Sequence, residues 1–248
     1  MALDVQGSTS TVTIEKKTRR TRYKTEIAFV SPQSSRHTFE ENGSCFLGIS
    51  LENSNFTTAK LESMVKWISR RFPRCTVLIG DSIHRLTLES MCGLEPEEAR
   101  RHAVDLGRRF LGQERPVFDA HRHSTDFTFL TCGEVQKQVE CDEIREQLDE
   151  LFASDDAFRG SVESFARSYH TKRSADVDEA ERERRVGISC SYFLEEFSVF
   201  AFLQRRGLPV MVYPGSFSTL NEIARGEHGN APRELRDLIV VSLHLKGR

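Results

Sequence analysis

The chain has 248 residues, enough for one large domain or two small ones with a sizeable core. Lys+Arg 35 against Asp+Glu 37 leaves a net charge of -2, which names no partner until the charges are located along the chain. No apolar run approaches the ~18 residues of a membrane helix, and no hydrophobic signal core opens the sequence, so a cytoplasmic protein without a membrane segment is expected. The six cysteines (Cys45, Cys75, Cys92, Cys132, Cys141 and Cys190) form no C-x-x-C pair. Free, mostly buried thiols are therefore expected, with neither disulfides nor a zinc site.

Residues 1–21 are rich in Ser, Thr and charge and lack sustained apolar periodicity. They read as a mobile arm ahead of a single domain over 22–248. Lys16, Lys17, Arg19, Arg20, Arg22 and Lys24 follow one another with no acidic residue between them. Such an arm either reaches phosphates or is a solvated tail. Ile27–Val30 predicts a short strand, halted by Ser31-Pro32.

Cys45–Ile49 is apolar around one glycine and too short for a helix, which predicts a buried strand. Ser50 closes it, and Asn53, Ser54 and Asn55 favour a turn and a helix cap. Leu61, Met64, Val65 and Ile68 then give helical spacing over Thr57–Arg71. This is strand, turn, helix, with a serine at the strand's carboxyl end, the edge where open α/β sheets bind ligands. Ser50 is either a strand terminator or a nucleophile. A hydrolase-type nucleophile elbow requires glycine two residues on, where this chain has Glu52.

A second buried strand, Cys75–Ile79, leads into Gly80-Asp81, with Asp81 a turn cap or a ligand contact. From Pro96 a long helix is expected, ending near Gly112, with Glu97 and Glu98 in its first turn and Ala99, Ala103, Leu106 and Phe110 inward. Arg100, Arg101, Arg108 and Arg109 share a broad face of it, as a solvated surface or as guanidinium forks for phosphate. Phe127–Thr131 predicts a third strand. Glu134–Phe152 predicts one charged amphipathic helix with Val135, Val139, Ile144, Leu148 and Leu151 inward, and a shorter helix lies around Val162–Tyr169. Lys172–Arg185 is charged enough to be loop or exposed helix. In the helix over Ser191–Leu203, Tyr192 and Glu196 stand i and i+4 on one face beside the Phe193/Phe197/Phe200 stripe. Glu196 is thus expected to be partly buried and Glu195 to point further outward. A carboxyl beside an apolar face is either a satisfied structural group or a tuned base. Val210–Tyr213 is a short strand, Arg233–Asp237 a helix, and Leu238–Leu243 a late strand or buried helix. Buried strands alternating with helices indicate an α/β fold, a mostly parallel sheet with helices on both faces.

Gly48-x-Ser50-x-x-Asn53-Ser54-x-Phe56, then Tyr192-x-x-x-Glu196, then Tyr213-Pro214, taken in that order, resemble the tRNA-dependent cyclodipeptide synthases. The likeness runs from about Thr25 to Leu245. It implies a Rossmann-like fold similar to the catalytic domain of class I tyrosyl- and tryptophanyl-tRNA synthetases, although neither the HIGH nor the KMSKS signature is present. It also implies ping-pong acyl transfer between two aminoacyl-tRNAs. Ser50 takes the first aminoacyl group as an ester, the amino group of the second aminoacyl-tRNA attacks it, and a dipeptidyl-enzyme closes to release a diketopiperazine. By the same resemblance Tyr192 and Glu196 hold the first ammonium group, with Glu196 also the proton acceptor. Tyr213 is the relay hydroxyl, Gly48 lines the first aminoacyl pocket, and Arg100, Arg101, Arg108 and Arg109 match a tRNA-binding helix. Asn53 belongs to one subgroup's pattern and Tyr213-Pro214 to the other's, which leaves the use of Asn53 open. Substrates that arrive as activated esters require no cofactor and no metal. None of the eight histidines falls in the three motifs, against a Ser-His-Asp triad. An α/β serine hydrolase and a non-catalytic tRNA-binding protein are the alternative readings.

Overall fold

The computed structural model describes residues 21–171, 177–216 and 218–247. Most of the expected arm, including Lys16, Lys17, Arg19 and Arg20, lies outside them. The elements follow in chain order as β1 (Tyr23–Ser31), β2 (Ser44–Ile49), α1 (Thr58–Ile68), β3 (Arg74–Ile79), α2 (Asp81–Cys92), α3 (Pro96–Asp119) and β4 (Asp126–Thr131). The second half holds α4 (Cys132–Val135), α5 (Val139–Ser154), α6 (Asp156–Thr171), α7 (Glu179–Arg205), β5 (Val210–Tyr213), α8 (Ser218–Ala224), α9 (Arg233–Arg236) and β6 (Ile239–Gly247).

Six strands form one sheet in the order β1-β6-β5-β2-β3-β4. All neighbours are parallel except β1 and β6, which pair antiparallel at the edge. From β2 the chain builds outward through β3 and β4 on one side, and later through β5 and β6 on the other. The direction of winding therefore reverses between β2 and β5, and such a reversal opens a crevice at the strands' carboxyl ends.

Strand periodicity assigns the two faces. In β2, Cys45, Leu47 and Ile49 pack with α1 and the end of α3, while Phe46 points to the α7 side. Every residue of β2 is buried, as expected for a central parallel strand. By the same alternation Gly48 and Ser50 face α7. In β5, Val210 and Val212 belong to the α1 side and Met211 to the α7 side, which turns Tyr213 toward α7 as well.

Several boundaries differ from the sequence reading. The first strand starts at Tyr23, so Lys24 is a strand residue paired with Glu26 at 2.5 Å. Helix α3 continues past Gly112 and through Pro116 to Asp119, because Phe118 is held edge-on by Phe127 and Phe129 of β4 at 5.4 and 5.3 Å. Tertiary packing there outweighs the proline. The expected Glu134–Phe152 helix is two helices: a capping box between Thr131 and Glu134 starts α4, the chain bends at Gln136–Gln138, and Val139 emerges 68% exposed instead of inward. Helix α2 had no clean apolar period to announce it. Of the charged stretch Lys172–Arg185, residues 172–176 lie outside the described residues, and Glu179–Arg185 forms the first turns of α7, laced by i,i+3 and i,i+4 pairs such as Arg184–Glu181 and Arg185–Glu181. Among the described residues α7 is the one helix long and apolar enough to cross a membrane, and 72% of its apolar window is buried inside the protein. The cysteines are free, five of them buried and Cys92 exposed.

Two glycines set how closely the elements approach behind the crevice. The Gly80 N–H donates to the Ile49 carbonyl at 3.0 Å, and a Cβ at Gly80 would stand 2.9 Å from that same oxygen. A Cβ at Gly107 of α3 would stand 2.8 Å from Cβ of Asp81, whose Oδ1 accepts the Gly133 N–H at 2.9 Å. Asp81 is thus a turn-fastening residue that joins the β3 and β4 ends. Gly80→Ala should push Ile49, and with it Ser50, out of place. We expect a stability loss of ~1–3 kcal/mol in urea denaturation, as for other overpacked sites. A midpoint equal to the wild type would show that the backbone at Ile49 yields freely.

Candidate active site

The structure brings Ser50, Asn53, Tyr192, Glu196 and Tyr213 together around one cavity of about 380 Å³. Ser50 lies just beyond β2 and Tyr213 ends β5, so the reversal in winding puts their hydroxyls side by side. Ser50 Oγ and Tyr213 Oη are 2.9 Å apart, with either one able to donate. The backbone at Glu52 has φ 55, a left-handed conformation unusual for a residue other than glycine. The backbone strain of this turn thus sits at Glu52 and not at the serine, where a hydrolase-type nucleophile elbow carries it. Glu52 Oε2 in turn meets His84 Nε2 at 3.1 Å at the edge of the same cavity. Burial keeps His84 below the usual imidazole range, against the pull of Glu52.

The turn after Ser50 clamps the end of β5. Asn53 Oδ1 accepts the Asn55 N–H at 2.9 Å, and Asn53 Nδ2 reaches Tyr213 Oη at 3.4 Å. Asn55 Nδ2 donates to the Pro214 carbonyl at 3.1 Å, and the Phe56 ring leans on Tyr213 with centroids 5.8 Å apart. This answers how Asn53 and Tyr213-Pro214 coexist: they form one hydrogen-bonded unit. Asn55 was not singled out from the sequence. Its only signal there is that it belongs to a run of turn formers.

Helix α7 supplies the carboxyl. Tyr192 and Glu196 share a face as their spacing requires, and Tyr192 Oη donates to Glu196 Oε1 at 3.5 Å. Glu196 is 8% exposed, and its Oε2 has no hydrogen-bond partner. Burial pushes its carboxyl up to about 8, opposed only by the Tyr192 hydrogen bond. Burial also raises the Tyr192 hydroxyl, with the nearby Glu196 charge adding to it. The Tyr213 hydroxyl is pushed up to about 12, first by burial and then by Glu196, against its bonds to Ser50 and Asn53. Glu195 is more exposed than its neighbour, but it does not project freely. Arg85 grips it with two bonds of 2.8 and 2.6 Å, and Gln136 donates to it at 2.9 Å.

Gly48 stands beneath this group in a second, smaller cavity with Ser50, Tyr192 and Glu196. A methyl at Gly48 would rest 3.5 Å from the Tyr213 ring, an ordinary contact, so anything larger would press on Tyr213. The four arginines of α3 are all exposed but fan over about half of the helix circumference. Arg100 opens onto a groove shared with Arg85, Lys137 and Arg145, while Arg108 lies 3.4 Å from Asp105. No group of three or more His, Cys, Asp or Glu suited to a metal ion is found among the described residues.

A model of the cyclodipeptide synthase family matches residues 29–203. Cyclo(L-leucyl-L-phenylalanyl) synthase of Streptomyces noursei is 28% identical over 159 residues, which span 62% of this chain and 64% of that protein. The alignment therefore covers less than two thirds of that curated relative. Among solved structures, a cyclodipeptide synthase from Fluoribacter dumoffii has a TM-score of 0.78 at 22% identity, over 92% of this chain and all of that one. A cyclodipeptide synthase from Candidatus Glomeribacter gigasporarum, solved bound to Phe-tRNAPhe, has a TM-score of 0.63 at 16% identity, over 81% and 86% of the two chains.

The raised Glu196 carboxyl has a measurable cost. Its value in the folded protein, about 8, exceeds the ordinary 4.5, so the folded state holds a proton that the unfolded state releases. Stability from this residue is complete below pH 4.5 and is lost as pH rises through about 8. Relative to Glu196→Gln, the unliganded wild type should lose up to roughly 5 kcal/mol across that window. Urea midpoints of the two proteins from pH 4.5 to 9 check this. Parallel profiles would mean that Glu196 is ionised, and satisfied, throughout.

Proposed function

The chain belongs to the cyclodipeptide synthase family, and from that premise we propose that it joins two aminoacyl groups from charged tRNAs through a seryl ester on Ser50. The relative bound to Phe-tRNAPhe supports charged tRNA as the substrate class. In the first step Ser50 Oγ bonds to the aminoacyl carbonyl carbon, the bond to the ribose oxygen breaks, and the serine proton leaves on the ribose hydroxyl. Conservation of atoms then fixes the second attacker. An incoming amine that attacked the seryl ester would leave the dipeptide on the tRNA, not on Ser50. The amine of the Ser50-bound group must therefore attack the second tRNA's ester, the reverse of the direction expected from the resemblance. That step expels the second ribose hydroxyl and leaves a dipeptidyl ester on Ser50. Its terminal amine closes on the seryl carbonyl, the diketopiperazine departs, and Ser50 regains a proton.

One observation carries this reading: the buried Glu196 oxygen without a partner, in the same cavity as Ser50. An unpaired buried acceptor is costly unless something arrives to use it. An α-ammonium tethered through Ser50 would fill the vacancy, and its charge would draw the carboxyl's value down. Glu196 is also the nearest carboxyl to take that ammonium's proton as the amine is freed to attack. The Tyr213 hydroxyl, neutral at pH 7 and 2.9 Å from Ser50 Oγ, is placed to relay protons to and from the serine. Ser50 has this tyrosine for a partner where a hydrolase triad has histidine. The tRNA ester is already activated, so a modestly activated hydroxyl suffices.

Ser50→Ala should give neither an acylated protein nor a diketopiperazine, at a stability cost of ~1 kcal/mol or less. Intact-protein mass after incubation with charged tRNA, with product mass spectrometry, reads both. Release of free amino acid alone by the wild type would favour a hydrolase instead. On α3, neutralising Arg100, Arg101, Arg108 and Arg109 together should weaken tRNA binding and flatten its salt dependence by roughly one unit of log–log slope per lost phosphate contact. An unchanged slope would make that face plain solvated surface.

A further inference from the structure

Two cavities meet at Ser50 and Glu196, and they differ sharply in size. The larger, about 380 Å³, is lined by α2, α6 and α7 and is reached past exposed residues such as Glu52 and Cys92. The smaller, about 10 Å³, is enclosed between the sheet and α7 by Gly48, Leu78, Ile83, Cys132 and Phe200. That is space for roughly one water. Its wall is rigid: Leu78, Ile83, Cys132 and Phe200 are each at most 2% exposed, and the Phe200 ring packs on Phe46 with centroids 5.6 Å apart.

Resting on the seryl-ester reading above, we infer that the enzyme accepts only glycine or alanine as the aminoacyl group carried on Ser50. That group is tethered twice, by its carbonyl to Ser50 and by its ammonium to Glu196, and both cavities touch both of these residues. The second aminoacyl group arrives on a tRNA end, for which the larger and more open cavity is the roomier approach. The smaller cavity is left for the first side chain. A hydrogen or a methyl fits there, whereas a branched or aromatic side chain would have to displace close-packed core atoms. The larger cavity sets no such limit on the second residue.

One tRNA body misacylated in turn with glycine, alanine, valine, leucine and phenylalanine removes any contribution from tRNA identity. We expect acylation of Ser50, read by intact mass, to be at least ~100-fold faster with glycine or alanine than with leucine or phenylalanine. Every diketopiperazine formed from mixed pools should contain at least one of the two small residues. Phe200→Leu and, as a milder change, Ile83→Val should each raise acylation by valine at least several-fold while glycine still reacts. Ready acylation by leucine or phenylalanine, products made of two large residues, or folded variants with unchanged preference would each overturn the inference and leave the seryl-ester reading standing. No acylation of Ser50 by any of the five would overturn that reading and the inference with it.

Discussion

The site depends on the parallel pairing of β2 with β5 at the point where the sheet reverses its winding. Two residues of each strand are in register, Phe46 with Met211 and Leu47 with Val212. This short ladder aligns two carboxyl ends that are far apart in sequence and sets Ser50 beside Tyr213. The turn after β2 then fastens the junction through Asn53, Asn55 and Phe56. A slip of one residue in either strand would turn its terminal hydroxyl to the α1 face, away from Glu196. Complete burial of β2 on both faces makes such a slip costly.

On the other wall, α7 presents a carboxyl from a helix that is apolar nearly all round between Phe193 and Leu203. An acid on such a helix is expensive, and the protein bears the cost by keeping it protonated when nothing is bound. Its neighbour Glu195 shows the alternative, a carboxylate gripped by two bonds from Arg85. Of two adjacent glutamates, one therefore meets a guanidinium and the other only a phenol. On the reading proposed above, that difference is what leaves Glu196 open to a cation brought by the substrate.

Much of this was legible in the sequence, for local reasons. Helical spacing paired Tyr192 with Glu196, and apolar strands closed by polar residues put Ser50 and Tyr213 at the carboxyl edge. What escaped depends on contacts between distant segments. The Asn55 bond to Pro214, the extension of α3 past Pro116 onto Phe127 and Phe129, and the Arg85 grip on Glu195 leave no periodic trace. Helix α2 escaped because polar residues, Ser82, His84 and Ser90, stand among its buried ones. Val139 was placed inward by an uninterrupted helix register, and the bend at Gln136–Gln138 broke that register.

The strand order also bears on how the protein comes into being during synthesis. Ser50 and Tyr213 are 163 positions apart, and β5 is seated between β2 and β6. The edge strand β1 has no strand partner until β6 has been made. Assembly is therefore governed by long-range pairings, which are slow and come late. A nascent chain that ends anywhere before β5 carries the serine but not the tyrosine that meets it. On the function proposed above, such a chain would hold the nucleophile without its relay and leave untouched the pool of charged tRNA that its own translation consumes.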